Sequence, residues 1–82
     1  MTETNLPSVE RLRWQCRRGM LELDCVLEDF LEQKYQAQDD RTKALFVQLL
    51  EVQDPDLNNW IMNGVESDND EMNEIVKLVR GY

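Results

Sequence analysis

The residues best suited to chemistry lie in one short stretch, residues 14–24, which surrounds a single glycine. Gly19 either lets two helices meet at a sharp angle or lets the backbone of a partner approach closely. Arg18 and Glu22 are four residues apart, so they either pair across the junction as an internal staple or act outward. In the second case Arg18 offers a planar fork to a carboxylate, carbonyl or phosphate of a partner. Arginine and tryptophan are enriched in interface hot spots, which suits Trp14 to recognition, but composition alone does not choose between staple and interface.

The basic residues of the chain are placed unevenly. The formal net charge is -8, from 17 acidic and 9 basic residues. Four of the basic residues nevertheless fall within eight positions: Arg11, Arg13, Arg17 and Arg18. A local basic patch on an acidic protein indicates a partner-binding surface, and the alternative is a solvated helix face. The overall charge argues against nucleic acid as a partner, because phosphate backbones repel it.

Most catalytic and metal-binding chemistry is missing from the composition. The chain has no histidine, the commonest general base and metal ligand, and its three glycines stand apart, so it has no phosphate loop. Cys16 and Cys25 are nine residues apart, which is no zinc spacing, and both are interpreted as buried free thiols of a reducing compartment. Asp54 and Asp56 are explained by helix capping. We therefore expect no enzyme, no metal and no cofactor of its own.

Length and hydropathy indicate one small domain spanning residues 1–82, with residues 1–6 as a flexible N-terminus. No apolar run approaches the ~20 residues of a membrane span, so we expect no membrane insertion. The N-terminal residues have neither a basic start nor an apolar stretch, as a signal or transit peptide would. A cytoplasmic protein is the resulting expectation.

Hydrophobic periodicity predicts an all-α bundle of about five short helices that would position the junction. The first is capped by Ser8, ends near Gly19 and turns Val9, Leu12 and Cys16 inward, with Arg11, Trp14 and Arg18 opposite. The second and third helices are predicted at about residues 20–35 and 41–52. The fourth should run from Asp54 as N-cap to Gly64, and the fifth from a cap near residue 70 to Gly81.

Arg18-Gly19-Met20-Leu21-Glu22 matches the Arg-Gly-x-x-Glu signature of the FAD assembly factor family, the flavinators of succinate dehydrogenase. The flanking residues also resemble bacterial members, as does Leu49-Leu50-Glu51 followed by Asp54-Pro55-Asp56-Leu57 and then Trp60. This resemblance covers about residues 9–80. It implies a five-helix domain that binds the flavoprotein subunit of succinate dehydrogenase, and in bacteria that of fumarate reductase.

The resemblance further implies that the protein helps FAD bond covalently to a histidine of that subunit. The FAD belongs to the partner, and a chaperone-like mechanism that holds a reactive conformation is the simplest one. Arg18, Gly19 and Glu22 carry over as the central contact surface, and proximity adds Arg11, Trp14 and Arg17. Residues 54–60 are interpreted as capping and core, with a second contact surface as the alternative.

Two other functions remain open at this point. An antitoxin-like regulator would neutralise a small toxin, but such proteins often carry a disordered tail or a basic DNA-binding face, and this acidic chain has short ends. A helical adaptor for another partner is compatible with the core pattern. The sequence leaves open whether FAD itself is contacted, and the oligomeric state.

Overall fold

The structure, a computed structural model, describes residues 7–81 and is all-α over them, with no strand. Its five helices are α1 Val9–Gln15, α2 Leu21–Gln33, α3 Asp40–Leu49, α4 Asp54–Met62 and α5 Asp70–Arg80. A 3₁₀ turn, Tyr35–Ala37, connects α2 to α3. The predicted five-helix, all-α fold is confirmed. The predicted flexible segment, residues 1–6, lies outside the described residues.

Side-chain caps begin three of the helices. The Ser8 hydroxyl accepts from the backbone N–H of Arg11, as predicted. Asp39 caps α3 by accepting from Thr42 at 2.8 Å, and Asn69 caps α5. These oxygens pair backbone donors that have no partner inside the helix. Gly81 ends α5 in the left-handed conformation, as predicted.

Three predicted boundaries differ from the structure. α1 ends at Gln15 rather than near Gly19, so residues 16–20 form a linker instead of helix. α2 ends at Gln33, two residues earlier than predicted, and the 3₁₀ turn that follows contains Tyr35, whose buried side chain packs into the core. α3 ends at Leu49, three residues earlier than predicted.

The role predicted for Asp54 as a helix cap is wrong. The N-cap of α4 is Gln53, which makes no side-chain capping hydrogen bond, and Asp54 is the first residue of the helix. The Asp54 carboxylate instead pairs with Arg18, which lies far away in the sequence. An ion pair between residues 36 positions apart thus replaces the local capping hydrogen bond that the sequence favours.

An aromatic cluster lies at the centre of the core. Phe46 is fully buried, with its ring centroid 4.9 Å from that of Phe30 and 5.5 Å from that of Tyr35. α2 contributes a stripe of buried residues to the same core: Leu23, Leu27, Phe30 and Leu31. α5 packs against α2, α3 and α4, whereas α1 packs mainly on α2. The outer side of α1 is therefore left uncovered.

Neither length nor hydropathy suits any described helix to crossing a membrane. The longest, α2, has 13 residues and carries several acidic side chains. A span requires roughly 20 apolar residues.

Candidate protein-binding surface at the α1–α2 junction

Six exposed residues flank the turn between α1 and α2, and together they are called the junction surface here: Arg11, Trp14, Arg17, Gly19, Leu21 and Glu22. Trp14 is 75% exposed and Leu21 is 80% exposed, the two highest values among the exposed large hydrophobic residues described. Large apolar side chains left this open next to charged ones are typical of interaction sites. All the predicted site residues except Arg18 thus lie on the exposed side of the junction.

Two ion pairs, one from α1 and one from the linker that follows it, hold this side of the junction against α2. Arg13 Nε lies 3.4 Å from a Glu32 oxygen, and Arg17 Nε lies 3.5 Å from a Glu28 oxygen. Arg13 and Arg17 are four residues apart, and so are Glu28 and Glu32, so the two ion pairs lie one after the other along the contact. The side chains of Arg13 and Arg17, with those of Glu10 and Trp14, line an open depression. Exposed pairs of this kind add little stability, but they fix where the charges lie.

Gly19 is required for its backbone conformation and leaves free space beside it. Its φ is +80°, an angle that residues other than glycine adopt only at a cost in conformational energy. A Cβ built at this position would meet no other atom of residues 7–81 within 4 Å. The constraint is therefore the dihedral angle and not crowding from within the chain, and the open side of the glycine faces outward for a partner to approach.

The linker at Gly19 is held by the first turn of α2. One Asp24 carboxylate oxygen accepts from the backbone N–H of Arg18 at 2.9 Å, and the other accepts from that of Gly19 at 3.2 Å. A carboxylate that binds two successive backbone donors fixes the path of that backbone. Sequence reasoning did not single out this role of Asp24 in holding the linker.

Arg18 lies behind the junction surface, and its side chain is only 12% exposed. Its Nε donates to the Gln15 carbonyl at 3.0 Å, and one terminal nitrogen donates to the Val52 carbonyl at 2.9 Å and to Asp54 at 2.8 Å. The other terminal nitrogen donates to the Leu50 carbonyl. The staple considered between Arg18 and Glu22 is absent among the described residues, because Arg18 pairs with Asp54 instead.

Glu22 is exposed in the first turn of α2. Within residues 7–81 no hydrogen bond or ion pair joins its carboxylate to another group. A carboxylate near a helix N-terminus interacts favourably with the helix dipole while keeping its oxygens in water. It is available to a donor on a partner.

The two cysteines differ, and the prediction that both are buried is wrong for one of them. Cys16 is buried, and burial followed by the nearby Glu28 charge raises its pKa to about 12, so it stays a thiol at neutral pH. Cys25 is exposed on α2 because it lies off the buried stripe. Among the described residues, no group of three or more acidic, cysteine or histidine side chains is placed to hold a metal ion.

Leu21 was also missed as a surface residue. It is the first residue of α2, two positions before the buried stripe starts at Leu23, and its offset from that stripe was the available signal. The Arg18–Asp54 pair had no such signal, because its members belong to distant segments.

Comparison with known proteins gives a consistent assignment. Residues 10–82 match a family model described as "Flavinator of succinate dehydrogenase". A protein of Yersinia pseudotuberculosis named "FAD assembly factor SdhE" is 46% identical over 70 residues, covering 85% of this chain and 80% of its own. The FAD assembly factor of Shewanella oneidensis is 43% identical over 76 residues, or 93% of each chain. That of Idiomarina loihiensis is 40% identical over 78 residues, covering 95% of this chain and 87% of its own. The chain belongs to the flavinator family of succinate dehydrogenase.

Proposed function

We propose that this protein promotes covalent attachment of FAD to the flavoprotein subunit of succinate dehydrogenase, and that its junction surface binds that subunit. The observation that carries the proposal is the open Gly19 flanked by two exposed apolar side chains, Trp14 and Leu21, in a chain of the flavinator family. The flavoprotein subunit of fumarate reductase is a second client, and the protein acts in the cytoplasm.

The junction surface has the parts that a specific interface needs. Trp14 and Leu21 provide apolar area, and an interfacial tryptophan is often worth at least ~2 kcal/mol of binding free energy. Gly19 allows a partner backbone to come close, since no side chain stands between them. Arg11, Arg17 and Glu22 add charges of both signs around these anchors, which sets the orientation of the partner.

The proposed mechanism is selective binding and not catalysis by this chain. The protein binds the conformation of the flavoprotein subunit in which the flavin and its attachment residue are correctly placed, and the bond then forms there. A ligand shifts an equilibrium only by its difference in affinity for the two states, and each 1.4 kcal/mol or so of difference changes their ratio about tenfold. The residues used are recognition residues, and the FAD is carried by the partner.

The experiment compares covalent flavin in cells with and without this protein. Denaturing gel electrophoresis removes noncovalent FAD, so fluorescence of the flavoprotein band reports attachment alone. We expect the band to lose its fluorescence on deletion and to regain it with the wild-type chain, at equal amounts of flavoprotein by immunoblot. Fluorescence that is unchanged by deletion would contradict the proposed function.

A further inference from the structure

We propose that Arg18 is a positioning residue: it locks the α3–α4 loop to the junction linker and thereby sets the backbone of Gly19, without contacting the partner itself. Asp54 is the second half of this lock. The inference rests on the proposed function for its effect on binding, but the lock itself is a property of the free protein.

The donors of Arg18 are committed within the chain. They go to three backbone carbonyls, those of Gln15, Leu50 and Val52, and to the carboxylate of Asp54. The Gln15 carbonyl belongs to the last residue of α1, and Leu50 is the C-cap of α3. The final carbonyls of a helix have no partner inside it, so Arg18 satisfies acceptors at two helix ends at once.

The planar guanidinium is what makes this arrangement feasible. It presents five N–H donors in a fixed fork, whereas the lysine ammonium presents three donors on one nitrogen. A lysine at position 18 would keep the charge but would leave one or more of the carbonyls without a donor. Turning Arg18 outward toward a partner would have the same consequence, because its site is largely closed to water.

The lock reaches Gly19 through the backbone. The side chain of Arg18 binds the α3–α4 loop, while its own N–H and that of Gly19 bind Asp24 on α2. The linker is therefore anchored at two adjacent residues, and the bond with φ of +80° at Gly19 begins at the second anchored nitrogen. Loosening either anchor frees the linker to change the relative placement of Trp14 and Leu21.

The Arg18–Asp54 ion pair also joins two motif segments that lie far apart in the sequence. The Arg-Gly-x-x-Glu segment and the Asp-Pro-Asp-Leu segment meet through Arg18 and Asp54, at 2.8 Å. Asp54 is the outer member, with 45% of its side chain exposed, so its carboxylate can be changed with little effect on packing. This makes Asp54 the more informative position to perturb.

The test is a double-mutant cycle of Arg18→Lys and Asp54→Asn, with Arg41→Lys as the matched control. Arg41 is exposed and pairs with Glu71 and Glu74 on the surface, so its conversion to lysine should change nothing. Binding of the purified flavoprotein subunit is measured for each variant under conditions where urea titration shows it folded. The amide signal of Gly19 is recorded by NMR in the free protein.

We expect Asp54→Asn to weaken binding about threefold to tenfold and to shift the Gly19 amide signal. Arg18→Lys should weaken binding further and shift the signal by more. The double variant should bind no more than about twofold worse than Arg18→Lys, because both changes break one lock. A partner contact by Arg18 would instead leave Asp54→Asn at wild-type affinity, or make the two losses multiply. Either result overturns the proposal.

The two proposals fail in distinguishable ways. If the wild-type chain does not bind the flavoprotein subunit, the proposed function fails, and the NMR comparison still decides on the lock. A Gly19 amide signal that is unchanged by the remote Asp54→Asn would refute the lock whatever the binding result.

Discussion

Replacing Gly19 with arginine separates binding from folding more clearly than other single changes at the junction. In the described part of the chain nothing lies within 4 Å of a Cβ at Gly19, so the new side chain extends outward without displacing core atoms. The cost to the fold is the left-handed dihedral angle, about 1–2 kcal/mol for an L-residue. The domain should therefore remain helical, with a modestly lower midpoint in urea.

The effect on binding should be much larger. An arginine at Gly19 holds the partner backbone away from the neighbouring Trp14 and Leu21. Loss of one well-packed tryptophan contact typically costs ~2 kcal/mol or more, which corresponds to about a 30-fold weaker complex. We expect at least that loss when the dissociation constant for the flavoprotein subunit is measured by titration calorimetry.

Gly81→Arg is the matched control. Gly81 has φ +86° and is exposed, and among the described residues only the flexible Lys34 amine comes near its Cβ position, at 3.9 Å. It lies at the other end of α2 from Gly19, roughly 20 Å away at 1.5 Å per residue over 13 residues. The control should lose similar stability and bind normally. Equal binding by both variants, or unfolding of the Gly19 variant alone, would refute the reasoning.

Three further predictions concern Glu22, the two cysteines and the stability of the fold at alkaline pH. Glu22→Gln should lower the free energy of unfolding by only about 0.5 kcal/mol yet weaken flavoprotein binding. Glu71 is also exposed in the first turn of its helix, and Glu71→Gln should bind as the wild type does. Equal affinities of the two variants would count against a role for Glu22. A thiol reagent should label one cysteine rapidly in the native protein and two in urea, with Cys25 as the fast one by mass spectrometry, because Cys16 is buried; rapid double labelling would show that α1 opens. The free energy of unfolding should fall as the pH rises from 9 to 12, by up to about 1.4 kcal/mol per unit for each proton retained. Burial raises the pKa of Cys16 to about 12 and also raises that of Tyr35, so the folded state keeps protons that the unfolded chain releases. Urea titrations across this range check the slope, and a flat profile would contradict it.

Local signals in the sequence were sufficient for much of the fold. The Ser8 hydroxyl and the left-handed Gly81 act within a few residues of themselves, so the start of α1 and the end of α5 were predictable. The apolar spacing along α2 likewise identified its buried stripe. These features depend on contacts between residues close together in the sequence, so a short segment is enough to predict them.

The errors arose where distant segments compete with local preference. Asp54 before a proline is a good cap, yet its carboxylate forms an ion pair with Arg18, which also donates to the Leu50 and Val52 carbonyls before α4. α1 was predicted to continue to Gly19, but Asp24 binds the backbone N–H groups that continued helix would use. Both outcomes depend on tertiary contacts that hydrophobic periodicity does not encode.

The same contacts change how the candidate site is interpreted. Sequence reasoning grouped Arg18, Gly19 and Glu22 as one contact surface. In the fold Gly19 and Glu22 are exposed, whereas Arg18 is largely buried and bonded to backbone carbonyls. Leu21 takes its place beside Trp14 as an exposed anchor.

The most direct test of the central claim is a reconstitution with purified components. Flavoprotein subunit of succinate dehydrogenase, made in cells without this protein, is mixed with FAD, and covalent flavin is followed over time on denaturing gels. Adding the wild-type chain should accelerate attachment in a saturable manner, and adding the Gly19→Arg variant should not. Attachment that proceeds at the same rate with and without the wild-type chain would contradict the account.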